Sequence, residues 1–463
     1  MRARLPGETT CGRPRPKAIV RGMQRGRFAS SDGIFDWVMG FVNVEKGQKT
    51  EFKLDRMRSL CAALGSPELA YPTIHVAGSK GKGSVSTMTA RILEAHGLKA
   101  GLYTSPHLLR WKERISLAGD DLPEEILVEA AEALFPLVDG LGPEAFVGSE
   151  LPTYFELTTL IGFLAFRLAG CDCAVIETGL GGRLDSTNVV DSAASVITPI
   201  ELEHTEWLGD SITQIAGEKA GIIKPGRPCI LSSQRPEARE VFETTCASRG
   251  SPLLDVRSAA AIERPLVDRH GTTARIRFPG RGAFDAARNY QSPMVGSVQA
   301  ENMALAILAA LVVVPDLAPE SAVRGLAAAR LPARFEILQR DPPVILDGAH
   351  TPTSIRHCLE SFDALFPGPA DLVFACAHDK KHAEMAAVLE GRFRSVTITR
   401  PGTFKQSEPL AVAESFGLSL GKCRLVEDTA AALAAARADA ARHGVPLLIA
   451  GSFYLCAVAI KAL

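Results

Sequence analysis

The chain has 463 residues, of which 46% are hydrophobic and 22% charged. This composition is that of an ordinary globular protein, and no apolar run is long enough for a signal peptide or a membrane span. A formal net charge of −1 argues against a protein held on nucleic acid by bulk electrostatics. The length favours two domains, and ten cysteines without the paired spacing of a zinc site indicate reduced thiols in a cytoplasmic protein.

The first 30 residues form a basic tail, with seven arginines and one lysine against Glu8 as the one acid. An arginine-rich start is typical of an organelle transit peptide, but it also fits an unstructured extension or a gene start set too early, since Met23 could initiate. Because the tail has no amphipathic apolar face, we expect residues 1–30 to be a disordered extension.

Short apolar runs then alternate with segments of helical period. In the first part of the chain this pattern predicts helices at residues 84–97 and 124–137. The predicted strands are 73–78, 99–104, 173–178, 193–200 and 228–233. Such alternation indicates a largely parallel sheet covered by helices. Residues 273–280 alternate with a period of two, which predicts a small antiparallel addition.

A second series of strands and helices begins after a strong helix at residues 300–314. Its predicted strands are 343–348, 371–377, 394–399, 423–426 and 446–452. The sequence therefore predicts two doubly wound α/β domains, at residues 31–329 and 330–463.

The segment HVAGSKGKGS, residues 75–84, joins a predicted strand to a predicted helix. It differs from the usual phosphate-binding loop, G-x-x-x-x-G-K-[ST], because Gly83 stands between Lys82 and Ser84. Its glycines would let backbone N–H groups form an anion-binding nest at the start of the helix. The alternative is a flexible glycine-rich turn, and the segment alone leaves both interpretations open.

Several predicted strands are followed directly by polar residues that can do chemistry. These residues are Ser105, Glu177, His204, Asp347 and Ser452. Ligands of open α/β sheets bind outside the carboxyl ends of the strands. The sequence therefore predicts a ligand cleft at that edge.

Eight longer segments occur in one order along the chain. They are AGSKGKGS, LYTSPHLLRWKERIS, PTYFELTT, IETGLGGRLDSTNVV, LEHTEWLGDSITQIAGEKAGIIKPG, ARFEIL, ILDGAHTP and AGSFYL. Together they closely resemble the folylpolyglutamate synthase family and its bifunctional dihydrofolate synthase members, in the Mur ligase superfamily. The likeness covers residues 31–463, and the family's own phosphate loop carries the same extra glycine.

The resemblance implies an N-terminal P-loop ATPase domain of Mur ligase type that binds ATP and folate, and a C-terminal Rossmann-like glutamate ligase domain. It implies ATP-dependent addition of L-glutamate to reduced folates, and to dihydropteroate, through an acyl phosphate. Two Mg²⁺ sites would neutralise the meeting anions. The family habit is a monomer, with neither nucleic acid nor membrane as a partner. Whether dihydropteroate, a reduced folate or both is the acceptor stays open.

The resemblance also implies which residues do this work. The expected ATP-binding residues are Ser79, Lys80, Gly81, Lys82, Gly83, Ser84, Asn302, Arg334 and Asp347. Ser105 and Glu177 match ligands of a first Mg²⁺, and His204 matches a second metal position. Lys82, His204, Lys219 and Arg334 are the expected catalytic residues, with Arg334 as a clamp on the γ-phosphate.

Lys219 supports two different interpretations. By sequence it is a helix-surface lysine beside Glu218. By resemblance it is carbamylated, because a lysine with a lowered pKa reacts with CO₂ and becomes an anion that can approach a metal. We favour the carbamylated form.

Substrate residues are implied on both domains. The expected pteroate-binding residues are Thr153, Tyr154, Phe155, Glu156, Leu184, Asp185 and Ser186. The two aromatic rings can stack on a pterin, and Glu156 or Asp185 can accept its N–H groups. His350 and Ser452 are expected to bind the incoming glutamate.

The chain departs from the family pattern at several positions. Lys80 stands where Asn is usual, Glu203 and Glu206 replace aspartates, and Val298 replaces a common His. These changes affect substrate preference and rate more than the type of reaction.

Two other functions compete with this one. A peptidoglycan-type Mur ligase would run the same chemistry on a UDP-sugar peptide, but the chain has no separate UDP-binding N-terminal domain. A P-loop binding module without ligase activity would not need Glu177, His204, Lys219 and a second domain carrying Arg334.

Overall fold

A computed structural model describes residues 26–42, 54–402 and 406–462. The prediction for the basic tail lies outside the described residues up to residue 25. Ser30 then caps the first helix by accepting a hydrogen bond from the N–H of Gly33. None of the helices in the described ranges is both long and apolar enough to cross a bilayer.

The α-helices follow one another along the chain with strands between most of them. They are α1 (Ser31–Met39), α2 (Leu54–Ala63), α3 (Lys82–Ala95), α4 (Glu124–Leu134), α5 (Tyr154–Ala169), α6 (Thr205–Leu208), α7 (Ile212–Ala220), α8 (Pro236–Arg249), α9 (Val256–Ala259), α10 (Gln299–Val313), α11 (Pro319–Ala328), α12 (Pro352–Leu365), α13 (His382–Leu389), α14 (Pro409–Ser415), α15 (Thr429–His443) and α16 (Phe453–Ala462).

The first sheet has eight strands. They are β1 (Thr73–Ala77), β2 (Ala100–Tyr103), β3 (Ile115–Leu117), β4 (Asp120–Asp121), β5 (Cys173–Glu177), β6 (Ala194–Ile197), β7 (Cys229–Leu231) and β8 (Leu253–Asp255). Their order is β4-β3-β2-β5-β1-β6-β7-β8. The strands from β2 to β8 in this order pair in parallel, whereas β3 and β4 form an antiparallel hairpin on one edge.

A small antiparallel sheet follows in the chain. Its strands are β9 (Ala261–Ile262), β10 (Leu266–Asp268), β11 (Gly271–Arg277) and β12 (Arg288–Ser292). The period-two prediction for this region is confirmed.

The third sheet lies in the C-terminal part of the chain. Its strands are β13 (Glu336–Arg340), β14 (Pro343–Asp347), β15 (Asp371–Phe374), β16 (Ser395–Ile398), β17 (Arg424–Leu425) and β18 (Leu447–Ala450). The order is β13-β14-β18-β15-β16-β17, parallel throughout except for β13 against β14. Two doubly wound α/β domains are confirmed. The antiparallel edge strands β3, β4 and β13 were not predicted, because they are short or rich in charge and carry no clear alternation.

Separate cores lie under the two large sheets. In the first domain, α3, α10 and α11 pack on one face of the sheet and α5 packs on the other. The helix α10 is apolar on all sides and is almost entirely buried, as such a helix must be. The chain passes from the first domain to the second once: Leu331 packs on the core of the first and Ala333 belongs to the core of the second.

Candidate active site

A cleft of about 660 Å³ lies between the two domains, at the carboxyl ends of the parallel strands. It is lined by residues of both domains, among them most of the side chains that the sequence singled out. The predicted site residues that line it are Ser79, Lys80, Gly81, Lys82, Gly83, Ser84, Ser105, Glu177, His204, Asn302, Arg334, Asp347, His350 and Ser452. The expectation that these residues meet in a cleft at this edge is confirmed; that the cleft binds a ligand stays a prediction.

The glycine-rich loop is held tightly between β1 and α3. Its backbone N–H groups at Ser79 and Lys80 donate to the carbonyl oxygen of Pro199, at 2.9 and 3.3 Å. Gly78 has φ +150°, and a Cβ there would lie 1.8 Å from Thr198 Oγ1, so no other residue fits. In the described part of the chain, the N–H groups of Lys82, Gly83 and Ser84 at the start of α3 donate to no acceptor. They form an anion-binding helix start that faces the cleft.

Two lysine side chains donate to the same carbonyl oxygen of this loop. Lys82 Nζ donates to the carbonyl oxygen of Gly78 at 2.7 Å, and Lys219 Nζ donates to the same oxygen at 2.9 Å. Lys219 also pairs with Glu203 Oε1 at 2.9 Å. Burial would raise the pKa of Glu203, but the charges of Lys82 and Lys219 lower it on balance. The carboxylate of Glu203 therefore offsets part of the charge of both ammonium groups.

The helix-surface interpretation of Lys219 is wrong. The residue is 1% exposed and lies on the apolar face of α7, with Ile212, Ile215 and Ala216. Burial and the charge of Lys82 lower the pKa of its ammonium group to about 8. The helical spacing of these apolar residues was the sequence signal that could have placed Lys219 inside.

The predicted ligands of the first magnesium ion lie together. The backbone N–H of Ser105 donates to Glu177 Oε2 at 3.2 Å. Glu177 is 3% exposed, and burial raises its pKa although Lys82 opposes the change. A buried carboxylate and a neighbouring hydroxyl are hard oxygen ligands that fit Mg²⁺. The described residues contain no group of three His, Cys, Asp or Glu side chains able to hold a metal ion.

The predicted residue of the second metal position lies at the mouth of the cleft. His204 is exposed and has a left-handed backbone, with φ +47°. Partial shielding of the imidazole from water lowers its pKa, and the negative charges of Glu203 and Glu206 oppose this change. A neutral imidazole next to carboxylates has the lone pair that a metal ligand needs.

Arg334 reaches the cleft from the C-terminal domain. It stands between two residues with left-handed backbone, Ala333 (φ +55°) and Phe335 (φ +46°). Its guanidinium lies 4.3 Å from the ring centroid of Phe453, which holds it by a cation–π contact. Asp347 accepts hydrogen bonds from the N–H groups of Phe335 and Ala349, at 3.0 and 2.7 Å, and so fixes the same turn.

His350 and Ser452 face the cleft from this domain too. His350 Nδ1 lies 2.7 Å from the carbonyl oxygen of Gly348, and burial lowers the pKa of the ring to about 4. Because a carbonyl only accepts hydrogen bonds, Nδ1 carries the proton and Nε2 keeps a free lone pair. The site therefore offers an acceptor for an amine.

Asn302 lies beside the phosphate loop at the start of α10. Its Nδ2 donates to Gln299 Oε1 at 2.9 Å. A Cβ added at Gly81 would lie 3.1 Å from Asn302 Oδ1. The amide is thus held next to the loop by Gln299, a partner that the sequence did not reveal.

The predicted pteroate residues do not line the cleft. They lie beside it, at the start of α5 and in the loop after β5. Glu156 is buried, receives two guanidinium N–H groups of Arg56, and caps α5 by accepting from the N–H of Thr153. Asp185 accepts from the N–H groups of Gly179, Leu180 and Thr187 and from the Thr187 hydroxyl.

These hydrogen bonds bear on the expected pterin contact. All four lone-pair positions of Asp185 are used, and Glu156 is engaged by an arginine that the sequence did not point to. The structure therefore gives no support to these carboxylates as acceptors of pterin N–H groups. Tyr154 and Phe155 are partly buried, with the Arg114 guanidinium 5.6 Å from the Tyr154 ring centroid.

A phosphate loop on one α/β domain that faces an arginine and a polar pocket on a second defines an ATP-dependent ligase of the Mur type. The model of the Mur ligase, glutamate ligase domain matches residues 333–453. The chain belongs to the folylpolyglutamate synthase/dihydrofolate synthase family of these ligases.

The family is shown by relatives along almost the whole chain. Folylpolyglutamate synthase of Lacticaseibacillus casei is 35% identical over 413 residues, which are 88% of this chain and 94% of that protein. Dihydrofolate synthase/folylpolyglutamate synthase of Escherichia coli is 32% identical over 426 residues, 92% of this chain and 94% of that protein.

Solved structures agree with the sequence comparison. A Mycobacterium tuberculosis folylpolyglutamate synthase complexed with ADP has a TM-score of 0.82 at 28% identity and covers 93% of this chain and 98% of its own. A complex of a folylpolyglutamate synthase with AMPPCP and folate has a TM-score of 0.78 at 30% identity, covering 94% of this chain and 99% of its own.

Proposed function

We propose that this protein adds L-glutamate to folates at the expense of ATP, and that it also adds the first glutamate to dihydropteroate. The observation that carries the proposal is the cleft itself: it is lined by the glycine-rich loop of the first domain and by Arg334, His350 and Ser452 of the second. Complexes of relatives with ADP, and with AMPPCP and folate, support the same substrates here.

ATP would bind with its phosphates on the loop formed by residues 79–84, at the start of α3. Lys82 would compensate the charge of the β- and γ-phosphates, and Arg334 would contact the γ-phosphate from the other domain. Asn302 would bind the adenine beside the loop, and Asp347 the ribose. The contacts of Phe453 and Gln299 support these roles because they hold the arginine and the asparagine in place.

The magnesium ions would be held by Ser105 and Glu177 at one site and by His204 at the other. When bound, Mg²⁺ neutralises phosphate charge and orients the transferred group. Lys219 would be carbamylated: its neutral amine forms an N–C bond with CO₂ and releases one proton. Its burial and its lowered pKa support this modification, because only the unprotonated amine is nucleophilic.

The reaction would take two steps. A carboxylate oxygen of the acceptor attacks the γ-phosphorus. The bond between this phosphorus and the β–γ bridging oxygen breaks, so that ADP is released and an acyl phosphate is formed. The amine of L-glutamate then attacks the acyl carbon, loses a proton, and the tetrahedral intermediate expels phosphate to leave an amide. His350 Nε2 would accept a hydrogen bond from that amine, and the cleft would exclude water from the acyl phosphate.

Release of phosphate tests the function. With ATP, Mg²⁺ and L-glutamate, we expect turnover on adding tetrahydrofolate, and also on adding dihydropteroate. Turnover with tetrahydrofolate alone would limit the enzyme to extending glutamate tails. Turnover only with a UDP-sugar peptide would indicate a peptidoglycan-type ligase, and no substrate-dependent release would reject ligase activity.

A further inference from the structure

Arg114 is a buried cation next to the cleft. It ends the short helical turn Trp111–Arg114 and is 8% exposed. Its Nε–H donates to His107 Nδ1 at 2.8 Å, and its guanidinium lies over the ring of Tyr154. The side chain is therefore fixed by a ring nitrogen on one side and an aromatic face on the other.

Arg114 has no directly paired carboxylate within the described residues, although its charge acts on the buried Glu177 and opposes the rise of that residue's pKa. No carboxylate in residues 26–42, 54–402 or 406–462 forms an ion pair with it, and its two terminal NH₂ groups have no acceptor there. Its neighbour Arg110, by contrast, pairs with Asp121 at 3.1 Å. Burying a guanidinium without a directly bonded anion is costly, so an anionic ligand is a fitting partner for its two NH₂ groups.

Arg114 also lies where a substrate could reach it. Its partner His107 lines the cleft, and so does Tyr454 at the start of α16, two residues after Ser452. Burial raises the pKa of Tyr454 while the charge of Arg114 opposes the rise, so the arginine acts across the domain junction. The ring of Tyr154 thus lies against the guanidinium, and Tyr454 is close enough for the charge of Arg114 to act on it.

We infer that Arg114 binds a glutamate carboxylate that takes no part in bond formation. This inference rests on the proposed function. A folate ends in a glutamate with two carboxylates, one of which must meet the γ-phosphate, and the incoming L-glutamate carries two more. A planar guanidinium with two free NH₂ groups is suited to a bidentate contact with such a carboxylate.

Binding of folate and of pteroate, which differ only by the glutamate, tests this role. We would measure the Kd of each ligand in the presence of AMPPCP for wild type, Arg114→Gln and the matched control Arg110→Gln, and the KM of L-glutamate in turnover. Arg114→Gln should raise either the folate Kd or the L-glutamate KM about 10-fold or more, with the AMPPCP and pteroate affinities unchanged. Arg110→Gln should behave as wild type.

The two measurements, the folate Kd and the L-glutamate KM, identify which carboxylate Arg114 binds. A rise in the folate Kd alone indicates the acceptor's own glutamate, and a rise in the L-glutamate KM alone indicates the incoming one. Unchanged values for both, or an equal rise for folate and pteroate, would overturn the inference. If Arg114→Gln does not fold, Arg114→Lys carries the test, since it keeps the charge but loses the bidentate contact. A wild type that binds no folate would instead reject the proposed function.

Discussion

Lys82 and Lys219 donate to one backbone oxygen, the carbonyl of Gly78, at 2.7 and 2.9 Å. The two ammonium nitrogens are therefore within about 6 Å of each other, a distance at which like charges near a protein surface repel by a few kcal/mol. Glu203 offsets part of this repulsion through its ion pair with Lys219. Conversion of Lys219 to an anion would turn the repulsion between these two side chains into attraction.

Substitution of Lys219 tests the carbamate. Lys219→Ala and Lys219→Arg should both lose at least about 100-fold in kcat, because neither can supply the anion. Partial rescue of Lys219→Ala by formate or by buffer saturated with bicarbonate is expected, since the defect is the loss of one anionic group. Full activity of Lys219→Arg would rule the carbamate out.

The lowered pKa of Lys219 predicts a dependence on pH and CO₂. At pH 7 a lysine with a pKa of about 8 is about 10% neutral, against roughly 0.03% at the ordinary pKa. Because the neutral amine captures CO₂, activity at fixed dissolved CO₂ should rise as the pH increases from 7 to 9, and CO₂-free buffer should lower it. Phosphate release measured in buffer containing CO₂ and in CO₂-free buffer checks this. Equal activity with and without CO₂ after prolonged degassing would contradict it.

Lys82 gives a second test, with a closely matched control. Lys82→Ala should reduce kcat/KM by at least about 100-fold and leave the fold intact, because the side chain faces the cleft and compensates phosphate charge. Lys99 makes the same kind of contact, an ammonium donating to the carbonyl oxygen of Ala169 at 2.9 Å, but lies outside the cleft. Lys99→Ala should retain activity. A folded Lys82→Ala protein with normal turnover would contradict the phosphate role.

Arg334 should act chiefly in the transition state. We expect Arg334→Ala to lower kcat about 100-fold and to change the ATP KM by no more than a few-fold. Arg330→Ala is the control, since Arg330 is exposed and only contacts the carbonyl oxygens of Ala327 and Ala328. A large rise in the ATP KM at unchanged kcat would show that Arg334 serves binding alone.

A comparison of alanine substitutions at two glycines distinguishes the cost of backbone strain from the cost of a steric clash. Both Gly78 and Gly226 have positive φ, but a Cβ at Gly226 meets nothing within 4 Å whereas one at Gly78 would meet Thr198. Gly226→Ala should cost about 1 kcal/mol of unfolding free energy. Gly78→Ala should cost more and should also abolish ATP binding, because the loop must shift. Denaturant unfolding measures the loss of unfolding free energy, and AMPPCP titration measures the loss of ATP binding. Equal values for the two variants would contradict a steric clash between a Cβ at residue 78 and Thr198.

The parts of this site that follow strands could be predicted from sequence. Apolar runs located the strands to within a few residues, and the polar residues at their carboxyl ends, such as Glu177 and Asp347, meet in the cleft because parallel strands end at one edge. The partners of these residues could not be predicted. Arg56 reaches Glu156 from 100 positions away, and Phe453 reaches Arg334 from the other end of its domain. No local periodicity encodes such pairs.

The single passage of the chain between the two cores, across Pro332, sets how the cleft closes. Because one short linker joins the two domains, their approach across the cleft is an intramolecular association, with an effective concentration in the millimolar range or above. Val295 and Leu108 of the first domain already pack on the cores of the second, and a nucleotide that bridged the loop and Arg334 would favour the closed form by its difference in affinity for the two forms. Arg334, Asp347, His350 and Ser452 all belong to the C-terminal domain, so a rotation of that domain would move the groups proposed for ATP and for glutamate together.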